Sequence, residues 1–554
     1  MIKQYIRNEL SIVIKKYLSK INSLNNDVIY FTVEISPKNT EFDFSTNAAI
    51  IISKKLNIKP KEVALDIISI INENNLSFIN KAKMDVNGIG FINIKINKEI
   101  LYKELQNILN QKNKYGSNII KNHNIENILI EFVSANPTGP LHIGHGRGAA
   151  LGNALTKILK HLGHKVTKEY YLNDVGNQMT ILAKSTELRY RELKGEKIIF
   201  PNDYYQGQYI IDIANKLILS GKKIYEIDFK YETIKYILNN IKNDLRKLNI
   251  QFDNWFYESS LINKKNEVNK VITFLYNSGF IYIKNKALWL STKKFGDDKD
   301  RVLKKSNKEY TYFATDIAYH KNKFDRGFTK VINIWGADHS GYIARLKSAI
   351  QMLGFKKTSL KIILYQLVSL IKNKQQITMS TRSGKFITLN QIINDVGENV
   401  TKFFFLLRNP MSQFEFNLEL AKKQSKENPV FYIQYVNARC KSIINNSINM
   451  HNIIKDINKI NFKLLITKEE INLLKQLSLF CDILKICEIT MNPNHLSLYL
   501  IKLSDKYHKF YETCKVLLNN NVPLTSARLK LVEGVSIIIK IGLDLLGIEI
   551  PNKM

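Results

Sequence analysis

The sequence predicts a multidomain protein: an N-terminal α/β region, a central α/β domain on a parallel sheet with a helical insertion, and a C-terminal all-α bundle. Three observations lead there. The 554 residues exceed what one hydrophobic core organises, so roughly three domains of about 100–200 residues are expected. Residues 128–172 read as strand, Gly/Pro-rich loop, helix and strand, the order of a βαβ unit. From about 395 onward the apolar spacing is helical almost throughout.

Over 1–112, Ile2, Tyr5, Ile6, Leu10 and Val13 mark one face of a helix, and GFINIKI (Gly90–Ile96) alternates like a half-buried strand. The polar stretch QKNKYGSN follows as a linker. The second unit, 120–395, opens on the apolar strand ILIEFV (Ile128–Val133). A helix then runs to Gly163, where glycine stops it, and KVTKEYYL is the next strand. Further strand-like runs are VINIW (Val331–Trp335) and the segment around Ile362–Leu364. The Lys/Tyr/Asn-rich stretch from about 195 to 290 reads as a helical insertion. Over 396–554, FFFLLR, YIQYVNARCKSIINN and LKLVEGVSIIIKIGLDLLG are amphipathic runs of a bundle. No internal repeat is visible.

Hydrophobic content of 45% and charged content of 24% fit a folded globular chain. The net charge of +33 points to a polyanionic partner such as nucleic acid. Abundant Lys beside scarce Arg also fits a compositional bias, and both explanations stand. The four cysteines, Cys440, Cys481, Cys487 and Cys514, form no CxxC and sit in helical stretches. Buried thiols in a reducing compartment are expected, with no protein-bound structural metal. The N-terminus has no continuous apolar core of a signal peptide, and no run of about 18 apolar residues could cross a membrane. A cytoplasmic location is expected.

The chemistry concentrates in NPTGPLHIGHGRGAALGNAL (residues 136–155), where His142 and His145 stand among five glycines. A metal site would need a third ligand, and the neighbours are Gly, Leu, Ile and Arg. A flexible turn is the bland alternative. A phosphate site is favoured by placement: the loop follows a strand and opens a helix, where free N–H groups and the helix dipole favour an anion. Glycine there allows close approach of a ligand. The spacing is neither a Walker A loop nor GxGxxG. Histidines in such a loop can donate to phosphoryl oxygens as charge develops, which predicts nucleotidyl transfer at the α-phosphorus of ATP.

His142-Ile143-Gly144-His145 is similar to the HIGH signature of class I aminoacyl-tRNA synthetases. The wider string EFVSANPTGPLHIGHGRGAALGNAL resembles the arginyl-tRNA synthetase family, as do YYLNDVGNQ, FGDDKDRVL, YTYFATDIAYH, WGADHSGY, MSTRSGKFITL and NPVFYIQYVNAR, in family order. The resemblance implies a Rossmann-like catalytic domain over 120–395, an appended domain over 1–112 that touches the tRNA elbow, and a helical anticodon-binding domain over 396–554. It implies ATP-dependent attachment of L-arginine to tRNA(Arg) through an arginyl-adenylate, with ATP and Mg²⁺, by a monomer. A small nucleotidylyltransferase with the same HxGH chemistry and a non-catalytic RNA-binding relative are the rival readings.

By the same resemblance, the ATP site includes Ala135, Asn136, Pro137, Thr138, Gly139, Pro140, Leu141, His142, Ile143, Gly144 and His145. Gly144 would leave room for the adenine. Asp316 and Tyr312, four apart and so on one helix face, would read the guanidinium. Glu131 and Asn136 would hold the α-amino and carboxylate groups, and His339 would stand at the side-chain pocket. The second signature, KMSKS, is degenerate here: Thr378-Met379-Ser380-Thr381-Arg382. Met379, Ser380, Arg382 and Lys385 join the ATP site, with Arg382, Lys385 or Lys374 in place of the missing lysines. Tyr432, Gln434, Tyr435 and Arg439 are candidates for tRNA contact, by stacking on unpaired bases, against a buried aromatic stripe. Asp297, Asp298 and Asp300 are expected in a solvated loop rather than a metal cage.

Overall fold

A computed structural model describes residues 2–21, 29–36, 40–73, 79–120, 124–264, 266–372, 375–377, 387–448, 453–454 and 456–550. The N-terminal region packs α1 (Ile2–Lys20), α2 (Ala48–Leu56) and α3 (Pro60–Glu73) on a four-stranded antiparallel sheet. Its strands are β1 (Val33–Ile35), β2 (Phe44–Thr46), β3 (Ile79–Asn87) and β4 (Phe91–Ile96), in the order β1-β2-β4-β3. Ile2, Ile6, Leu10 and Val13 of α1 are all buried, as the helical spacing predicts. α4 (Lys98–Gln111) follows, and Asn97 caps it by accepting from the Glu99 N–H.

The central domain is built on five parallel strands in the order β12-β11-β5-β6-β7. These are β5 (Asn127–Glu131), β6 (Lys165–Leu172), β7 (Asn254–Tyr257), β11 (Lys330–Gly336) and β12 (Leu360–Tyr365). α5 (Ile143–Leu162) connects β5 to β6, and Gly163 ends it in the left-handed region at φ 113°. From β5 the chain builds outward to β6 and β7, then returns to β5's other side as β11 and β12. The strand order therefore reverses at β5, and the C-terminal ends of β5 and β11 form the crevice where such sheets bind ligands.

Between β6 and β7 lie α6 (Asn177–Leu193), α7 (Gln208–Leu219) and α8 (Phe229–Lys247). The stretch 195–290 is therefore not helical throughout. It contains β7, a strand of the main sheet, and α9 (Glu267–Asn277). A separate antiparallel sheet is made by β8 (Ile281–Lys284), β9 (Ala287–Leu290) and β10 (Arg301–Lys304). α10 (Tyr312–Asp325) and α11 (Ile343–Met352) flank β11. β13 (Val368–Lys372) pairs with β14 (Gln375–Ile377) and with β15 (Phe414–Asn417), so strand structure continues past residue 395. Between them α12 (Leu389–Val396) and α13 (Glu398–Leu406) pack on α5.

The rest is helical: α14 (Leu418–Lys422), α15 (Pro429–Ser447), α16 (Lys468–Ser478), α17 (Phe480–Thr490), α18 (Asn494–Thr513) and α19 (Val522–Leu545). All four cysteines are free and buried in this bundle. Among the described residues no helix is long and apolar enough to cross a membrane.

Candidate active site

A cavity of about 510 Å³ opens at the C-terminal ends of β5 and β11. Glu131 from the end of β5, Ala135 and Asn136 from the loop, and His142, Gly144 and His145 from the start of α5 line it. Tyr312 and Asp316 of α10 and His339 line it as well. Pro137, Thr138, Gly139, Pro140, Leu141 and Ile143 do not reach the cavity and shape the loop from behind. The Tyr209 hydroxyl donates to the Thr138 carbonyl at 2.6 Å, the Tyr170 hydroxyl to the Ala135 carbonyl at 2.8 Å, and the Leu389 N–H to the Leu141 carbonyl at 2.7 Å. Met379, Ser380, Arg382 and Lys385, with Lys374, lie outside the described residues.

The two histidines cap α5 and hold each other. His142 Nδ1 accepts from the N–H groups of Gly144 (3.1 Å) and His145 (3.4 Å), and His145 Nδ1 accepts from the His142 N–H at 3.3 Å. Each Nδ1 being an acceptor, a neutral ring carries its proton on Nε2. Burial keeps both rings neutral: it lowers the pKa of His142 and moves that of His145 well down, with His142 beside it adding to the effect. The rings stack at 3.6 Å between centroids. The result is two Nε2–H donors at a helix N-terminus, an arrangement suited to phosphoryl oxygens.

Gly144 lines the cavity, whereas the later glycines of α5 face packed neighbours. None of Gly139, Gly144, Gly146, Gly148 or Gly152 has positive φ. A Cβ on Gly146 would meet Leu389 at 2.5 Å and Phe405 at 2.9 Å, and one on Gly148 would come 3.0 Å from the Tyr365 ring. One on Gly152 would enter the Phe132 ring. At Gly144 the first obstacle is the His142 ring, at 3.0 Å. These glycines let α5 sit close to its own neighbours.

The opposite end of the cavity is acidic. The half-buried Asp316 accepts from the Tyr342 hydroxyl at 2.6 Å. Its pKa is pushed up to about 7: burial is the largest cause, the negative charges of Glu131 and Glu258 add to it, and the Tyr342 hydroxyl and Lys323 oppose it. Glu258, immediately after β7 and 3% exposed, is not among the residues lining the cavity; its pKa is also pushed up to about 7, chiefly by burial, with Asp174 adding to it and a hydrogen bond from Tyr171 opposing. Sequence reasoning missed Glu258. Among the described residues, neither Asp316 nor Glu258 forms an ion pair with a lysine or arginine.

Glu131 differs. Its Oε2 meets Lys323 Nζ at 2.5 Å with both side chains buried, and its Oε1 accepts from the Ser134 hydroxyl at 3.0 Å. Lys323 also donates to Asn333 Oδ1 at 3.1 Å. The buried His320 sits next in this chain. Its Nδ1 lies 2.7 Å from the Asp316 carbonyl, which can only accept, so Nδ1 donates and Nε2 accepts from Asn333 at 2.7 Å. Residues 312, 316, 320 and 323 thus form one face of α10. Between Glu131 and the loop, Val133 and Ser134 hold φ of 66° and 40°, and the Ser134 N–H donates to the Phe132 carbonyl at 2.9 Å.

Asn136 is exposed and donates to Gln178 at 3.1 Å. Tyr312 is 70% exposed at the rim. His339 lies beside Asp338 (3.5 Å) and the Trp335 ring. FGDDKD is not wholly solvated: Asp297 is 7% exposed and accepts from Arg301 Nε at 2.7 Å and Nη2 at 2.9 Å. Its pKa falls to about 2 because hydrogen bonds from Arg301 and Asp298 outweigh burial. Among the described residues no group of His, Cys, Asp or Glu could hold a metal ion.

Tyr432, Gln434, Tyr435 and Arg439 lie together on α15, away from this cavity. Tyr432 donates to Asp505 at 3.0 Å, Gln434 to the Glu549 carbonyl at 3.1 Å, and Arg439 Nε to the Tyr435 hydroxyl at 2.7 Å. Both tyrosine rings stack on His508, and the exposed Arg439 guanidinium lies over Tyr435 and Tyr511. The face is half-exposed and aromatic, neither a buried stripe nor a free one.

Residues 6–96 match the family described as the arginyl tRNA synthetase N terminal domain, and residues 104–412 the catalytic domain of tRNA synthetases class I (R). Residues 433–554 match the DALR anticodon binding domain. The chain is 40% identical over 529 residues to an arginine–tRNA ligase of Lawsonia intracellularis, covering 94% of this chain and 95% of that one. It is 37% identical over 561 aligned positions to one of Carboxydothermus hydrogenoformans, covering 100% and 99%. The solved arginyl-tRNA synthetase of Thermus thermophilus shares its fold, with a TM-score of 0.79 at 19% identity and 100% of both chains covered.

Proposed function

Since the chain belongs to the arginyl-tRNA synthetase family and joins arginine to tRNA with ATP, we propose that its cavity binds arginine at the Asp316 end and the ATP phosphates at the His142 end. The observation that carries this is the carboxyl of Asp316, set in the cavity wall and without a paired cation among the described residues. A guanidinium is a planar fork that meets a carboxylate bidentately and stays charged, whereas a lysine ammonium is a point charge. Tyr312 flanks it, and His339 borders the side-chain pocket. Glu131 keeps acceptor capacity beyond Lys323 and Ser134 for the α-amino group, and Asn136 stands by the α-carboxylate.

The α-carboxylate oxygen attacks the α-phosphorus and pyrophosphate leaves. His142 and His145 donate through Nε2–H to the oxygens on which charge grows. The terminal adenosine 2′-hydroxyl then takes the arginyl group and AMP leaves. Mg²⁺ accompanies ATP on its phosphates, since the histidine end offers N–H donors rather than hard oxygen ligands. Arg382 or Lys385 supplies the cation of the degenerate second signature, which alanine at each position tests through pyrophosphate exchange. The α15 face stacks on anticodon bases. The protein acts as a monomer in the cytoplasm.

The test is pyrophosphate exchange with tRNA(Arg) present, comparing arginine, lysine and citrulline, the neutral isostere. Exchange with arginine alone is expected, because buried acceptors left unpaired reject a near-isostere by roughly 10⁴–10⁵. Equal exchange with lysine or citrulline would overturn the reading of the acidic end.

A further inference from the structure

We propose that Arg147 is a positioning residue, which holds the wall of the cavity facing ATP in register with His142 and His145. This rests on the reading that the histidine end takes ATP. Arg147 lies on α5 just beyond the two histidines and is 1% exposed. Among the described residues it has no carboxylate partner. Its Nη1 donates to the carbonyls of Gln366 (2.9 Å) and Ser412 (3.1 Å), and its Nη2 to that of Asn409 (2.9 Å). The guanidinium also lies over the Phe414 ring, at 5.3 Å.

Those carbonyls belong to two segments, the turn between β12 and β13 and the turn leading into β15. The segments also meet each other, through the Gln366 N–H and the Pro410 carbonyl at 2.9 Å. The residues on either side of Gln366, Tyr365 and Leu367, line the cavity. Tyr365 packs on α5 at Gly148. One buried cation therefore ties the helix that carries both histidines to the wall beside them.

Burial lowers the Arg147 pKa to about 10, so desolvation opposes its charged form, and the hydrogen bonds to the three carbonyls offset that cost. What arginine provides is geometry: a rigid planar fork whose separate nitrogens reach carbonyls on two segments, where a lysine offers donors from a single compact nitrogen.

The experiment compares Arg147→Lys and Arg147→Met in pyrophosphate exchange with tRNA(Arg), with KM measured for ATP and for arginine and rates referred to titrated active sites. The expected result in both is a fall of at least about tenfold in kcat/KM for ATP, with KM for arginine within about twofold. Retention of charge in Arg147→Lys gives no rescue, and if Arg147→Met fails to fold, Arg147→Lys decides alone. An equal rise in KM for both substrates, or a fully active Arg147→Lys, would overturn the proposal. His142→Ala separates the two levels. If His142→Ala keeps normal exchange, the reading of the histidine end fails. If it loses exchange while the Arg147 variants keep theirs, only the positioning role fails.

Discussion

Asp316→Asn should make the protein more stable and unable to use arginine. Burial and the neighbouring Glu131 and Glu258 raise the Asp316 pKa from 3.8 to about 7. An acid whose folded pKa is raised binds more protons folded than unfolded, so stability falls as pH rises from about 4 to about 7 and stays lowered above that. For Asp316 this penalty is about 2–4 kcal/mol at neutral pH, the lower figure allowing for solvent at the half-buried carboxyl. Asparagine removes the charge, keeps the volume and can still accept from the Tyr342 hydroxyl. Denaturant unfolding at pH 7.5 should show the gain. Exchange kinetics should show KM for arginine raised by at least about 100-fold, since a guanidinium loses its ionised partner. The two effects must have opposite sign. A variant that is less stable, or that binds arginine within about tenfold of the parent, would refute the argument that this carboxyl is strained in wait for a cation.

Three further outcomes follow from the same cavity and from α15. Arginine binding should strengthen as pH rises through about 7, because the guanidinium selects the ionised form of Asp316. At pH 6 this carboxyl is about nine-tenths protonated, so affinity drops about tenfold relative to pH 8; calorimetry in two buffers should count protons released, and uptake would contradict the sign. Lys323→Met should destabilise the fold by about 3–5 kcal/mol, because it removes one partner of a buried ion pair; an unchanged melting transition would refute the reading of Lys323 and Glu131 as a buried pair. Arg439→Ala should raise KM for tRNA by about 5- to 30-fold with KM for arginine unchanged, as expected for loss of one stacking contact worth about 1–2 kcal/mol. Equal effects on both substrates would place Arg439 in the fold rather than on the RNA.

The parallel sheet and the bundle were legible because their signals are local. ILIEFV and KVTKEYYL are apolar runs bounded by glycine and polar residues, and α15 and α19 carry long helical periods. β7 was not legible. Asn254–Tyr257 is four residues long, and it lies between polar helices that set the character of the whole stretch. Glu258 was lost with it, since an acid directly after a sheet strand draws notice only once the strand is recognised. Lys323 was hidden differently: in a lysine-rich chain one more lysine on a helix reads as solvated, although its spacing from Asp316 places it on the inward face. The packing role of Gly146 was not legible, because Phe405 and Leu389, which crowd it, stand more than two hundred residues further along.

The left-handed pair Val133–Ser134 joins the two ends of the cavity. A β-branched residue at positive φ is costly, about 1–3 kcal/mol, and persists only where its surroundings fix it. Here they do. The Ser134 N–H closes onto the Phe132 carbonyl, its hydroxyl donates to Glu131, and its Oγ accepts from the Tyr171 N–H at 3.1 Å. A chain that left β5 in extended form would continue in line with the sheet and carry the loop away from Glu131. The reversal at Val133 instead brings Ala135 and Asn136 back over the strand end, so that the loop can deliver His142 to the cavity whose floor is Glu131. The strain is thus the local cost of placing a carboxylate and two histidine donors, eleven to fourteen residues apart in sequence, around one substrate.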